Sequence, residues 1–158
     1  MEENTRYEIR ASRTVAAPAS RVYDIIADYR NGHPHIVPPN FTNIQVVEGG
    51  RGAGTVIRFD ARAFGRTQTI RHRVDEPEPG RVLVEHDLDA PTVTTFTVDR
   101  GAREGESAVT ISTMMTSRPG LLGAIERALT RTFLQRLYRQ ELANLEAFAR
   151  STAFRATQ

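Results

Sequence analysis

The chain contains no cysteine, which excludes disulfides, thiolate metal sites and cysteine nucleophiles. It contains no lysine either, because all 21 basic residues are arginine. Schiff-base chemistry and the lysine of a phosphate-binding loop are thereby removed. No apolar run approaches the ~18 residues that span a bilayer, so no membrane insertion is expected. The opening residues MEENTRYEIR lack the apolar core of a signal peptide, and the expected compartment is cytoplasmic. Formal net charge is only +2. The sequence pI of 9.5 follows from a small excess of guanidinium groups, and no nucleic-acid partner is expected. No GxSxG elbow, HExxH pair or nucleophile–base pair is present, and no cofactor is expected.

What remains is an ordinary globular composition, 39% hydrophobic and 25% charged over 158 residues. This length suits one domain, residues 1–158, with a core over about 7–150. The longest coherent stretch is Pro119–Arg150, rich in Ala, Leu, Arg, Glu and Gln, with no glycine after Gly123. It predicts a long helix capped by Ser117 and opened by Pro119. Two apolar stripes run along it. Leu122, Ile125, Leu129 and Phe133 form one, while Leu134, Leu137, Tyr138, Glu141, Leu145 and Phe148 form another, rotated by more than a third of a turn. Three arrangements fit: one amphipathic core helix, a bend near Thr130–Leu134, or a first half that gates a cavity while the second packs on a sheet.

Ahead of this helix the period changes to two. Tyr7, Ile9, Ala11 and Val15 predict a first strand. A short helix follows from Pro18, with Val22, Ile25, Ile26 and Tyr29 on its apolar face and Gly32 at its end. The segment HPHIVPPNF then forms a loop. From Thr42 onward the chain reads as about six short-connected strands, over Ile44–Glu48, Thr55–Phe64, Gln68–Val74, Val82–Leu88, Thr94–Val98 and Val109–Met115. Short connections imply antiparallel neighbours, and one polar face implies a sheet wrapped on one side around the helix. The class is α+β.

Several residues invite a chemical reading. GGRGAG is followed by a strand rather than a helix, so it is read as a hairpin turn with left-handed glycines rather than a phosphate cradle. His33 and His35 have the spacing of metal ligands, yet no third ligand lies near them, and a surface or cavity-rim loop is the competing reading. His72 and His86 both fall on the apolar phase of adjacent strands and are expected to face the same interior. They suit three roles: satisfied core histidines, ligand-orienting groups, or acid–base catalysts. Ile57, Phe59, Ile70, Thr94, Phe96, Thr113, Met115 and Phe133 are candidate walls of a cavity or of a solid core. An exposed apolar patch suited to a protein partner is expected only at Val37–Phe41.

The segments PASRVYDIIADY at 18–29, EGGRGAGTVIRF at 48–59, EPEPGRVLVE at 76–85 and LYRQELANLEAFA at 137–149 make the chain similar to the helix-grip superfamily. That superfamily includes the START-like and Bet v 1-like proteins, and the resemblance is to its polyketide cyclase/dehydrase-type branch. It implies a curved antiparallel sheet of about seven strands around a long C-terminal helix, with a cavity between them. The implied partner is a hydrophobic small molecule, lipid, aromatic or polyketide-like, bound by a monomer or homodimer. The alternative is a cyclase or dehydratase that uses cavity histidines as a proton shuttle. The chain departs from the family pattern where His33 and His35 stand in place of a tryptophan after the first helix.

Overall fold

A computed structural model describes residues 3–155. Strand β1 (Thr5–Val15) leads into helix α1 (Ala19–Ala27) and a 3-10 turn at His33–His35. Six strands follow: β2 (Phe41–Glu48), β3 (Val56–Ala63), β4 (Arg66–Glu78), β5 (Val82–Asp87), β6 (Val93–Arg100) and β7 (Ser107–Ser117). Helix α2 (Gly120–Arg150) closes the fold. The sheet is seven-stranded and antiparallel, in the order β1-β7-β6-β5-β4-β3-β2. Hairpins connect β2 through β7, and the first strand returns beside the last. This is the helix-grip architecture.

Period-two alternation puts Ile9, Val15, Ile57, Phe59, Val74, Phe96, Val98, Val109 and Ile111 on the concave face. Helix α2 meets them with Leu137, Tyr138, Leu142, Leu145 and Ala149. Helix α1 adds Val22, Ile25 and Ile26. It ends at Ala27, before the predicted Gly32, because the Asp28 carboxylate accepts from the amides of Arg30 and Asn31, at 3.0 and 2.9 Å, and turns the chain. Beyond α2, Arg21 donates to the carbonyls of Ala149, Ser151 and Phe154, which ties the following residues to α1.

Helix α2 is one unbroken helix of 31 residues, about 46 Å long at ~1.5 Å per residue. Its N-cap position is held by Pro119 without a side-chain cap. The expected cap Ser117 instead ends β7 and accepts from Arg127 at 2.9 Å. The two stripes lie on different surroundings. The second is buried on the sheet, whereas Leu122, Ile125 and Leu129 of the first are exposed, as is Leu121. The first half of α2 therefore presents an apolar ridge outward rather than gating the interior, and Val37–Phe41 is not the only apolar surface.

The glycine-rich segment joins β2 to β3, as the strand after it required. It also reaches back to α1: Tyr29 N–H donates to the Gly50 carbonyl and Gly52 N–H to the Ala27 carbonyl, both at 2.9 Å. Gly50 and Gly52 have φ of 141° and 61°, values that L side chains avoid. The loop thus fixes the backbone that carries Tyr29 inward.

Candidate functional site

Between the concave sheet and α2 lies a cavity of about 340 Å³, within the size range of small-molecule sites. Its wall includes Ile57, Phe59, Ile70, Phe96, Met115 and Leu134. Of the ten residues read from the sequence as cavity walls or strand histidines, the structure brings eight to this cavity: those first five together with His72, Thr94 and Thr113. Two are placed elsewhere. Phe133 lies outside, its ring 5.0 Å from that of Phe64 at the β3–β4 turn, and its neighbour Leu134 faces the cavity instead.

His86 is the larger correction. It is exposed on the outer face of β5. The pairing register explains this, because directly opposed residues share a face. His86 opposes Arg73, which is exposed, while Glu85 opposes Val74 on one side and Thr94 on the other. Leu83 and Glu85 therefore point inward. The sequence carried a signal for this phase, since Leu83 broke the alternation built on Val82, Val84 and His86. Following Leu83 would have required a carboxylate in the interior, and that carboxylate is there.

Glu85 is the hub of a buried polar cluster. The Tyr29 hydroxyl donates to its Oε1 at 2.6 Å. His72 Nδ1 lies 3.2 Å from its Oε2, and His33 Nε2 lies 3.7 Å from its Oε1. Burial pushes the Glu85 carboxyl up, but the hydrogen bond and charge of His72, then His33, then the Tyr29 hydrogen bond outweigh it and bring it down to about 2. Since ionised Glu85 has only acceptors, His72 Nδ1 donates to it and leaves Nε2 as the basic nitrogen. His33 Nδ1 sits 2.7 Å from the Ile26 carbonyl, which only accepts, so Nδ1 carries the proton there as well. Tyr29 stacks on the His33 ring at 4.5 Å, and Phe96 and Phe59 set their edges against His33 and His72.

The 3-10 turn separates the two histidines of the HxH pair. His33 is buried in the cavity wall, whereas His35 stacks on Phe148 with ring centroids 4.6 Å apart. Among the described residues no group of three or more histidines or carboxylates is arranged to hold a metal ion.

A second carboxyl faces the cavity from α2. Glu141 is buried, lines the cavity, and has His33 Nε2 at 3.9 Å. That is too far for a hydrogen bond. Burial first, and the negative charge of Glu85 second, push its carboxyl well above the usual range. The two carboxyls are thus pushed apart: three partners hold Glu85 toward its anion, and burial drives Glu141 toward its neutral form. One turn earlier on the same helix, Tyr138 hydrogen-bonds to Thr113, whose Oγ1 is 2.9 Å from Thr94 Oγ1. Burial pushes the Tyr138 phenol up, against the hydrogen bond with Thr113, so it keeps its proton. Sequence reading placed Glu141 in the inner stripe of α2 without giving it a role. It missed Glu85 and Tyr29, whose chemistry exists only where β4, β5 and the end of α1 meet.

The arrangement is an apolar chamber with a polar wall. That wall carries an anion-supported imidazole, a carboxylic acid able to donate, and a line of three hydroxyls. Groups of this kind can orient an oxygen-bearing molecule and move protons on it without a redox partner.

The sequence profile described as "Polyketide cyclase / dehydrase and lipid transport" matches residues 6–150. Among solved structures, the chain is similar to the KanY protein, at 26% identity with a TM-score of 0.81, covering 93% of this chain and 99% of that one. It is also similar to the Zhui aromatase/cyclase from Streptomyces sp. R1128, at 20% identity and TM-score 0.74, covering 92% and 94%. A START superfamily protein from Mycobacterium smegmatis matches at 14% identity and TM-score 0.69, covering 90% and 96%. The last two likenesses concern the fold. No curated protein matches this chain.

Proposed function

The chain belongs to the polyketide cyclase/dehydrase and lipid transport family, and from that premise we propose that its cavity binds a largely apolar, oxygen-bearing small molecule of aromatic or polyketide-like character. The observation that carries this reading is Glu141, a buried carboxyl turned to the cavity with no hydrogen-bond partner among the described residues. Its oxygens open onto the cavity, where a carbonyl or hydroxyl oxygen of a ligand pairs with the carboxyl. Ile57, Phe59, Ile70, Phe96 and Met115 take the body of the molecule, at ~25 cal/mol per Å² of apolar surface buried. His72 and the Thr94–Thr113–Tyr138 line orient its oxygens.

Thermal-shift and native mass-spectrometry titrations with polycyclic phenols, fatty acids and sterols test this. Stabilisation by phenols is expected, and Thr94→Trp, which fills the cavity from β6, is expected to abolish it. If no class stabilises the protein, or if Thr94→Trp binds as well as the wild type, the reading fails.

A second reading, dehydration or cyclisation of a β-hydroxy or poly-β-keto substrate, is favoured by the split states of the two carboxyls. Divergent pKa values in one site separate acid from base. His72 Nε2, with Glu85 behind Nδ1, takes a proton from the carbon beside a carbonyl. Glu141 gives its proton to the departing hydroxyl, which leaves as water, and the carbon–carbon double bond forms. His72→Phe and Glu141→Gln are each expected to abolish turnover while the fold stays intact. Turnover that survives either substitution would reject the roles given to these two residues, and a wild type that turns over no such substrate would leave binding alone.

A further inference from the structure

The ridge on the first half of α2 is not part of the cavity. Leu121, Leu122, Ile125 and Leu129 are 78%, 64%, 49% and 57% exposed. At ~100° per residue they occupy an arc of about 100°. Its centre lies nearly opposite the face through which Leu137, Tyr138, Glu141 and Leu145 pack on the domain. Among the described residues nothing covers these side chains. Phe133, at the edge of the arc, touches Phe64, which is 65% exposed at the β3–β4 turn. Phe64 and Gly65 both have positive φ, 51° and 73°. A two-residue hairpin turn of this kind favours Asn, Asp or Gly, and a bulky aromatic there is costly. A strained, exposed phenylalanine therefore extends a helical ridge of exposed leucine and isoleucine.

The charge around this surface is mainly positive. Arg136 and Arg139 continue the outward side of α2 beyond Leu129, and Arg62 and Arg66 flank Phe64; all four are exposed. The carboxylate beside the ridge, Glu126, is already tied to Arg118. A convex apolar ridge with arginines at its margin suits a planar apolar phase under an anionic layer. It suits a second copy of this chain less well, because the arginine margins would be brought together. A second pocket between Phe64, Leu129, Tyr7 and Met115 lies beside the ridge, and Met115 also lines the main cavity.

We infer that the first half of α2, with the Phe64 turn, docks this protein on anionic lipid surfaces, the apolar ridge entering the headgroup boundary and Arg62, Arg66, Arg136 and Arg139 meeting lipid phosphates. This is peripheral attachment and involves no spanning segment; no helix among the described residues is long and apolar enough to cross a membrane. It holds whatever the cavity binds, and it would let an apolar ligand pass between bilayer and cavity beside Met115.

The test is co-sedimentation with vesicles of phosphatidylcholine alone and of equal parts phosphatidylcholine and phosphatidylglycerol. The wild type should pellet with the anionic vesicles, less so as salt is raised, and stay in solution with the neutral ones. L122E/I125E changes only exposed side chains and should keep the wild-type melting curve yet lose vesicle binding at least tenfold. R136E/R139E should lose it by about 25-fold or more, at roughly fivefold per arginine near an anionic surface. The inference is overturned by a wild type that does not pellet, by binding that L122E/I125E retains, or by equal binding to neutral vesicles. A stable dimer that L122E/I125E converts to monomer overturns it too, and assigns the ridge to self-association.

Discussion

Replacing Glu85 by Gln keeps the shape of the side chain and removes its charge. In the folded protein that charge faces His72 at 3.2 Å, His33 at 3.7 Å and the Tyr29 hydroxyl at 2.6 Å. These partners bring the carboxyl from its ordinary 4.5 to about 2. At ~1.4 kcal/mol per pH unit the difference corresponds to about 3 kcal/mol of stability at pH 7. Because the folded-state value lies below the unfolded one, the unfolded chain takes up the proton first as pH falls. The contribution is complete well above pH 4.5, is about halved near pH 3, and is lost below about pH 2. Glu85→Gln should therefore cost about 3 kcal/mol at pH 7, a fall of roughly 6–12 °C in Tm for a chain of this size. The cost should shrink steadily from about pH 5 to about pH 2, where the unfolded wild type takes up this proton while the folded protein still carries the charge. Urea denaturation followed by circular dichroism across that pH range measures it. A cost that stays constant with pH, or one below about 1 kcal/mol at pH 7, would refute the account of Glu85 as an ionised hub.

Glu141 should behave in the opposite sense. Its carboxyl is raised, so its contribution is whole below about pH 4.5 and fades as pH rises through the folded-state value; Glu141→Gln should flatten the alkaline side of the stability profile. Glu141→Leu, which replaces a buried carboxyl by an apolar side chain, should raise stability at pH 7 while abolishing ligand response, and a urea titration reads the first effect. Tyr29→Phe removes a hydrogen bond to a charged carboxylate and should cost about 1.5–3 kcal/mol by the same measurement. Gly52→Ala should cost at least ~1–2 kcal/mol: φ is 61°, and a Cβ would stand 2.2 Å from Glu76 Oε2. That oxygen cannot retreat freely, because it accepts from the Ala53 amide while the other accepts from Tyr23. A thermal melt unchanged by this substitution would disprove the tight packing of the loop.

The sequence by itself determined the elements and their order. Period-two alternation from Tyr7 to Met115, turns at GGRGAG and EPEPG, and an unbroken run of helix formers after Pro119 leave little choice but a wrapped antiparallel sheet and one long helix. Local rules suffice there because strand and helix periods are written in neighbouring residues. The same rules found most of the cavity wall, since inward positions such as Ile57, Phe59 and Phe96 repeat at fixed spacing. The exposed ridge was also visible as a separate stripe at Leu122, Ile125 and Leu129, though not that nothing would cover it.

Only the tertiary structure decided which side of β5 faces in. Val82-Val84-His86 and Leu83-Glu85 are rival phases of one strand, and a one-residue change of phase exchanges every side chain between faces. Pairing with Val74 and Thr94 selects the second. Glu85 becomes acceptable inside because Tyr29, His33 and His72 converge on it from 13 to 56 residues away in the chain. No local pattern announces such a cluster. The cost of a buried charge is offset by partners that become neighbours only once α1, the 3-10 turn and the sheet have closed around it.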